Sequence, residues 1–307
     1  MMETLLAILQ NTLRSATPIV IAAMGGQFTE HVNIMNIGMD GMMLMGAFFA
    51  VLASYFFTSA AMGLLAAILI GLLMGVMFGV FVIKFKSDEF IIGVAINIFA
   101  GGVTVFLLRT IFGVAGSFAD KGIQPLPYIN IEWLNSVPIL GKLLNNNSLL
   151  VYVSWLLVIA CYIAVFKTPF GFKIRASGEH PESLSTAGIN PNKYKYIASM
   201  ICGVLCGLAG AHLSLGYLTQ FSEGMSSSRG FIAFACIIFG RANPPKVFLA
   251  SLLFGFLDAL SLRLQFVGVS SNLLGMMPYI MTVLMMIYVV VYDNYKKKHR
   301  LPKLKLD

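Results

Sequence analysis

Gly41 to Ile83 reads GMMLMGAFFAVLASYFFTSAAMGLLAAILIGLLMGVMFGVFVI, with no charged residue. A membrane-spanning helix needs about 20 apolar residues, so this stretch is long enough for two passes. Leu143–Phe166, Ile197–Ser222 and Leu264–Tyr292 are also free of charge. None of these runs alternates apolar with polar residues, as barrel strands do, so the spans are helical. Across the 307 residues, 58% are hydrophobic and 11% charged. A soluble domain carries about 25% charged residues. The composition therefore excludes a soluble enzyme, a disordered chain and a disulfide scaffold, and leaves an all-α polytopic membrane protein.

The apolar elements fall at 4–24, 34–57, 61–83, 90–112, 149–166, 196–218, 230–240, 247–266 and 273–291. This predicts about 9–10 spanning or broken helices in a single membrane domain over 1–307. The element 230–240 is too short to cross as a straight helix and reads as a half-helix. Arg14 and Pro18 interrupt the first element, which lacks a small-x-small cleavage site and reads as a retained helix. A weak internal echo links Gly38-Met-Asp-Gly-Met-Met-Leu-Met-Gly-Ala-Phe-Phe-Ala50 with Gly230-Phe-Ile-Ala-Phe-Ala-Cys-Ile-Ile-Phe-Gly240. Each follows a span and a glycine-containing polar link, and one span separates the halves. This suggests an inverted repeat with broken helices at matching positions, a transporter pattern.

The formal net charge is +8, with six of 21 basic residues at Lys296, Lys297, Lys298, Arg300, Lys303 and Lys305. Five more lie in 167–195. Basic residues beside spans mark the cytoplasmic side, so 167–195 and the tail 293–307 are placed inside, with Lys84 and Lys86 in a third inside loop. The charge reads as topology and contact with membrane lipid, not as a nucleic-acid surface. The segment 113–148, with Pro125, Pro127 and Pro138, reads as an external loop. These placements give nine crossings and an outside N-terminus if 230–240 carries the chain across. Cys161, Cys202, Cys206 and Cys236 sit in apolar runs without neighbouring ligands and read as packing residues, so no metal site is expected.

Within 167–195, Pro181 suits the first position of a helix, Gly188 the residue past its end, and Glu182 the positive N-terminal dipole. A helix of about two turns follows, with Leu184 and Ala187 on one face. The segment Arg175-Ala-Ser-Gly-Glu-His-Pro-Glu-Ser-Leu-Ser-Thr-Ala-Gly-Ile189 resembles the coupling-helix loop of ABC importer permeases. The matching branch serves branched-chain amino acids, simple sugars and nucleosides. His180 stands where Asn is commoner, and Ser183 and Ser185 occupy positions that are often small. Asn33-Ile-Met-Asn-Ile-Gly-Met-Asp-Gly41 looks like the family's Asn-Ile-Gly-Glu-Gly segment, with Asp40 in place of Glu. Phe221-Ser-Glu-Gly-Met-Ser-Ser-Ser-Arg-Gly-Phe-Ile-Ala-Phe-Ala235 and Ile238-Phe-Gly-Arg-Ala-Asn-Pro244 match as well. The combination is most similar to permease subunits of nucleoside importers that work with lipoprotein receptors.

The resemblance implies a bacterial plasma-membrane importer subunit, not an enzyme. Its implied partners are a cytoplasmic ABC ATPase, a second related permease and an external substrate-binding lipoprotein. The chain carries no Gly-x-x-x-x-Gly-Lys-[Ser/Thr] phosphate loop. ATP and Mg are therefore expected on the partner ATPase, with no cofactor on this chain. Glu179, His180, Pro181, Glu182, Ser183, Leu184, Ala187 and Gly188 are the implied coupling residues.

Polar groups at bilayer depth are costly and count as functional candidates. Asp40 either orders the pathway or is a carboxylate at a helix N-terminus. Asn33 and Asn36 either bind a ribose or base or cap a helix break. Asn97 bridges helices or lines the pathway. Ser226, Ser227 and Ser228 suit an oxygen-rich ligand at a helix N-terminus or cap the half-helix. Phe231 and Phe234 stack on a base or pack in lipid. Glu223 and Arg229 pair at the outer surface or dock the receptor. Asp258 and Arg263 are expected in interfacial or inter-subunit pairing. A ribose-like sugar or riboflavin-like ligand is the alternative cargo. An ion-coupled secondary transporter would need a carboxylate relay, for which only Asp40, Glu30, Glu223 and Asp258 are available. An intramembrane enzyme would need a convergent site that the sequence does not display.

Overall fold

A computed structural model describes residues 2–130 and 145–265, together with 276, 277, 280–285, 287 and 291. The tail 293–307, residues 131–144 of the loop and most of the span at 273–291 lie outside the described residues. Helix α1 (Met2–His31) is followed by α2 (Met39–Phe57), α3 (Ala60–Gly79) and α4 (Glu89–Phe112). Next come α5 (Leu149–Lys167), the short α6 (Pro169–Glu179) and α7 (Pro181–Thr186), then α8 (Pro191–Ala211), α9 (Arg229–Gly240) and α10 (Pro244–Gln265). Turns of π-helix extend α3 through Val80–Lys84 and α8 through His212–Tyr217. Six of these helices, with their extensions, are long and apolar enough to cross a membrane. Helix α1 spans 30 residues with Pro18 inside, and α9 is a 12-residue apolar helix. The chain is a helical, polytopic membrane protein.

The ends of the bundle are identified by their contacts. At one end, Arg14 of α1 donates to the Asn147 side chain (3.0 Å) and the Asn146 carbonyl. Here strand β1 (Ser117–Phe118) pairs with β4 (Phe221–Ser222), and β2 (Tyr128–Ile129) pairs with β3 (Asn147–Ser148). The Ser54 hydroxyl and the Gln124 backbone exchange hydrogen bonds of 3.0 and 2.9 Å, and Phe118 stacks on Phe112 at 3.9 Å. The segment 113–130 is thus strapped across the ends of α2 and α4. At the other end, His31 meets the Ala242 carbonyl at 3.0 Å, and Gly178 abuts the backbone of His31 and Val32. That end carries α6 and α7 and the basic residues Lys84, Lys167 and Lys193, the charge pattern expected of a cytoplasmic side, and is called the cytoplasmic end for that reason.

The sequence places an apolar element at 34–57, but α2 begins only at Met39. The Asn36 side chain accepts the Gly38 N–H at 3.0 Å and holds the preceding link out of helix. Such local side-chain bonding competes with helical geometry. The segment 167–195 holds two helices where one was expected. Thr168 accepts the Gly171 N–H at 3.2 Å, and Pro169 occupies the first turn of α6.

The core is a seam of α2, α3 and α8. A Cβ on Gly203 would overlap the Gly71 carbonyl oxygen, and one on Gly207 would overlap that of Ala67. Gly71/Gly75 and Gly203/Gly207 are each spaced by four, so two helices approach backbone to backbone, as small-residue interfaces allow in lipid. Gly101 has nothing within 4 Å of the same constructed Cβ. Gly203→Val should lower the thermal midpoint in detergent, with an overpacking cost of about 1–3 kcal/mol, whereas Gly101→Ala should leave it unchanged. Size-exclusion profiles after heating measure both, and equal midpoints would remove the seam's special role.

Candidate functional site

Helices α2 and α9 meet at their N-termini and run to opposite ends of the bundle. Asp40, in the first turn of α2, stands at the junction. Its Oδ1 accepts the Gly230 N–H of α9 at 3.0 Å, and its Oδ2 accepts the Ser226 hydroxyl at 2.9 Å. A carboxylate there faces unpaired N–H groups and the positive ends of two helices. A Cβ on Gly230 would overlap the Asp40 backbone, so only glycine lets the second helix come so close.

Asn36 and Asn97 lace the same junction. Asn36, 1% exposed, donates to the Cys202 sulfur of α8 at 3.2 Å. Asn97 accepts the Gly41 N–H at 2.7 Å and donates to the Ile37 carbonyl at 3.1 Å, tying α4 to the start of α2. Gly41 and Gly93 permit this approach, since side chains there would strike α4 and the Ile37–Gly38 backbone respectively. Both amides therefore hold helices together. Asn33 lies apart from them, exposed just past α1, with φ +57° and its N–H on the Glu30 carbonyl at 2.9 Å.

Ser226 belongs to the junction, but Ser227 and Ser228 make no hydrogen bond to Asp40. Both have left-handed backbones, at φ 46° and 62°, in the turn that starts α9. Phe231 is 40% exposed, whereas Phe234 is half-buried against the core. Glu223 and Arg229 do not pair with each other. Glu223 accepts the Gly116 N–H at 3.1 Å and lies 3.6 Å from Arg109, bracing the external strap. Arg229 pairs with Asp258 of α10 at 3.1 Å. Asp258, expected in interfacial or inter-subunit pairing, therefore has a partner within the chain. The sequence offered no signal for this pair, whose members are 29 positions apart.

On the cytoplasmic end, α7 covers Pro181–Thr186, with Pro181 in its first turn. Gly188 has φ +76° and donates to the Ser185 carbonyl, while Ile189 donates to that of Leu184, each at 3.0 Å. This is a Schellman ending, in which glycine supplies the left-handed residue. Leu184 and Ala187 both line the groove beside α6, Leu184 buried at 5% exposure and Ala187 exposed at the end of α7. Glu179, His180, Glu182, Ser183, Ala187 and Gly188 are exposed and Pro181 half-exposed. Phe172, Lys173, Arg175 and Ala176 of α6 join Glu179, His180 and Leu184 around a groove of about 380 Å³. Sequence reasoning missed α6; the Thr-Pro-x-Gly start at 168–171 was its available signal.

His212, remote in sequence, meets the Ser148 hydroxyl at 3.2 Å and the Arg14 carbonyl at 3.4 Å. Among the described residues, no group of three His, Cys, Asp or Glu side chains is placed to hold a metal ion.

The family model described as "Branched-chain amino acid transport system / permease component" matches residues 8–290. The chain is 35% identical to the guanosine ABC transporter permease protein NupQ of Bacillus subtilis, over 99% of this chain and 98% of that protein. It is 31% identical to the nucleoside ABC transporter permease protein NupC of Lactococcus lactis, over 92% of each. It is 29% identical to the putative glucose ABC transporter permease protein TsgC13 of Haloferax volcanii, over 84% of this chain and 78% of that one. No solved structure matches the chain significantly.

If Asp40 joins the starts of α2 and α9, Asp40→Ala should lower the thermal midpoint more than Asp40→Asn, which keeps an acceptor. The alanine variant strands a buried donor, at about 1–3 kcal/mol. Ser226→Ala should cost less. Equal stability of Asp40→Ala and the parent chain in thermal melts would refute the joint.

Proposed function

The chain belongs to the branched-chain amino acid transport-system permease family, and from that premise we propose that it is the permease subunit of an ATP-driven importer of nucleosides. It is a transport subunit in the plasma membrane, not an enzyme, and permeases of this family work with an ATPase on a separate chain. The carrying observation is near-full-length similarity to relatives named for guanosine and nucleosides. The similarity to a putative glucose permease keeps sugar as the competing cargo.

In this proposal an external lipoprotein delivers the nucleoside, and a second, related permease completes the pathway. ATP and Mg bind the partner ATPase. Its grip falls on the exposed part of 179–188, namely Glu179, His180, Pro181, Glu182, Ser183, Ala187 and Gly188. Leu184 acts from beneath by seating α7 on α6. Rocking of α7 is passed through α6 to α1, because Gly178 lies against the His31 and Val32 backbone. Asn36, Asp40, Asn97 and Ser226 keep the starts of α2 and the half-helix α9 in register. Asn33, Ser227, Ser228, Phe231 and Phe234 are the remaining candidates for contact with the moving solute, and Phe231 offers an exposed ring for a base. Glu223 and Arg229 brace the outer surface to which the receptor docks.

Uptake of radiolabelled guanosine, ribose, glucose and riboflavin by proteoliposomes holding the co-purified assembly tests the cargo. Saturable ATP-dependent guanosine uptake is expected, and uptake of sugar alone would transfer the assignment. Ala187→Arg should reduce ATP-linked uptake at least tenfold without loss of membrane insertion, because it places a large cation at an exposed position on the groove beside α6. Undiminished uptake by that variant would remove Ala187 from the ATPase contact.

A further inference from the structure

Helices α5 and α8 both pack on α1 and leave a groove of about 410 Å³ between them. Its walls are Leu157, Ala160, Cys161 and Ala164 on α5, and Met200, Ile201, Val204 and Leu205 on α8. Phe28 and Leu72 complete it. Every lining side chain is apolar, and small Ala160 and Ala164 open the wall where larger residues would fill it. The α5 stripe spans about 10 Å at 1.5 Å rise per residue.

Both walls continue in register to a lysine at the cytoplasmic end. On α5 the stripe at 157, 160, 161 and 164 reaches Lys167 at the next helical step. On α8 the stripe at 200, 201, 204 and 205 runs back seven residues to Lys193 on the same face. Both lysines are exposed, and neither has an ion-pair partner among the described residues. An apolar slot whose two walls each lead, by helical register, to an exposed lysine is complementary to one molecule class: a hydrocarbon chain carrying a negative head at the membrane surface.

We propose that this groove is a binding site for an anionic glycerophospholipid, with an acyl chain between α5 and α8 and its phosphate head between Lys167 and Lys193. The seated chain wedges α5 against α8 beside α1.

Native mass spectrometry of the full chain with its co-purifying subunits, titrated with dioleoylphosphatidylglycerol or dioleoylphosphatidylcholine, tests the site. One phosphatidylglycerol should bind at least fivefold more tightly than phosphatidylcholine. Lys167→Gln with Lys193→Gln should erase that preference, and Ala160→Leu with Ala164→Leu should lower retention of both lipids. Equal retention of the two lipids by the parent complex would overturn the proposal. So would undiminished phosphatidylglycerol binding by the double leucine variant. Loss of a membrane subunit from that variant, with lipid binding intact, would make the groove a protein interface and also overturn it. The lysine substitutions lie at the solvent edge, so their result stands even if the leucine variant fails to assemble.

Discussion

A single carboxylate between two helix starts organises this membrane domain. Each helix N-terminus leaves N–H groups without intrahelical partners, and in a bilayer such groups must be satisfied by the protein. Placing α2 and α9 start to start concentrates that need at one point. Asp40 meets it from inside α2 by taking the Gly230 N–H and the Ser226 hydroxyl. Asn97 reaches in from α4 and Asn36 ties the same turn to α8. Polar residues that would be costly in isolation thus become the means by which four helices share one junction.

Around that junction, the glycine seam of α2, α3 and α8 provides rigidity, and the ends of the bundle receive different treatments. The outer end is strapped by the 113–130 segment, its aromatic stacking and the Arg14 contacts with Asn146 and Asn147. The cytoplasmic end is lighter: α6 and α7 rest on it through Leu184, Phe170 and the close approach of Gly178 to α1. The proposed coupling to an ATPase would use such a difference, because a lever must be attached to the bundle without being buried in it.

Much of this architecture was legible in residue type alone. Helical spans follow from long charge-free runs, and the half-helix from the shortness of 230–240. The turn at 188 follows from glycine past a helix end. The α6 start was also written in local chemistry, at Thr168 and Pro169, and was overlooked because an apolar span dominates the preceding residues. The late start of α2 was less visible, because Ile34 and Ile37 look helical until the Asn36 side chain captures the Gly38 N–H.

What the sequence determined by itself is the solvent of this protein, the helical class and the family, since each rests on local composition or contiguous motifs. The tertiary structure alone decided the partnerships: Asp40 with Gly230, Asn97 with Gly41, and Arg229 with Asp258. These depend on which helices lie side by side. Spacing along a chain sets the face a residue occupies but not the neighbour that face will meet, and a polar side chain in lipid takes its role from that neighbour.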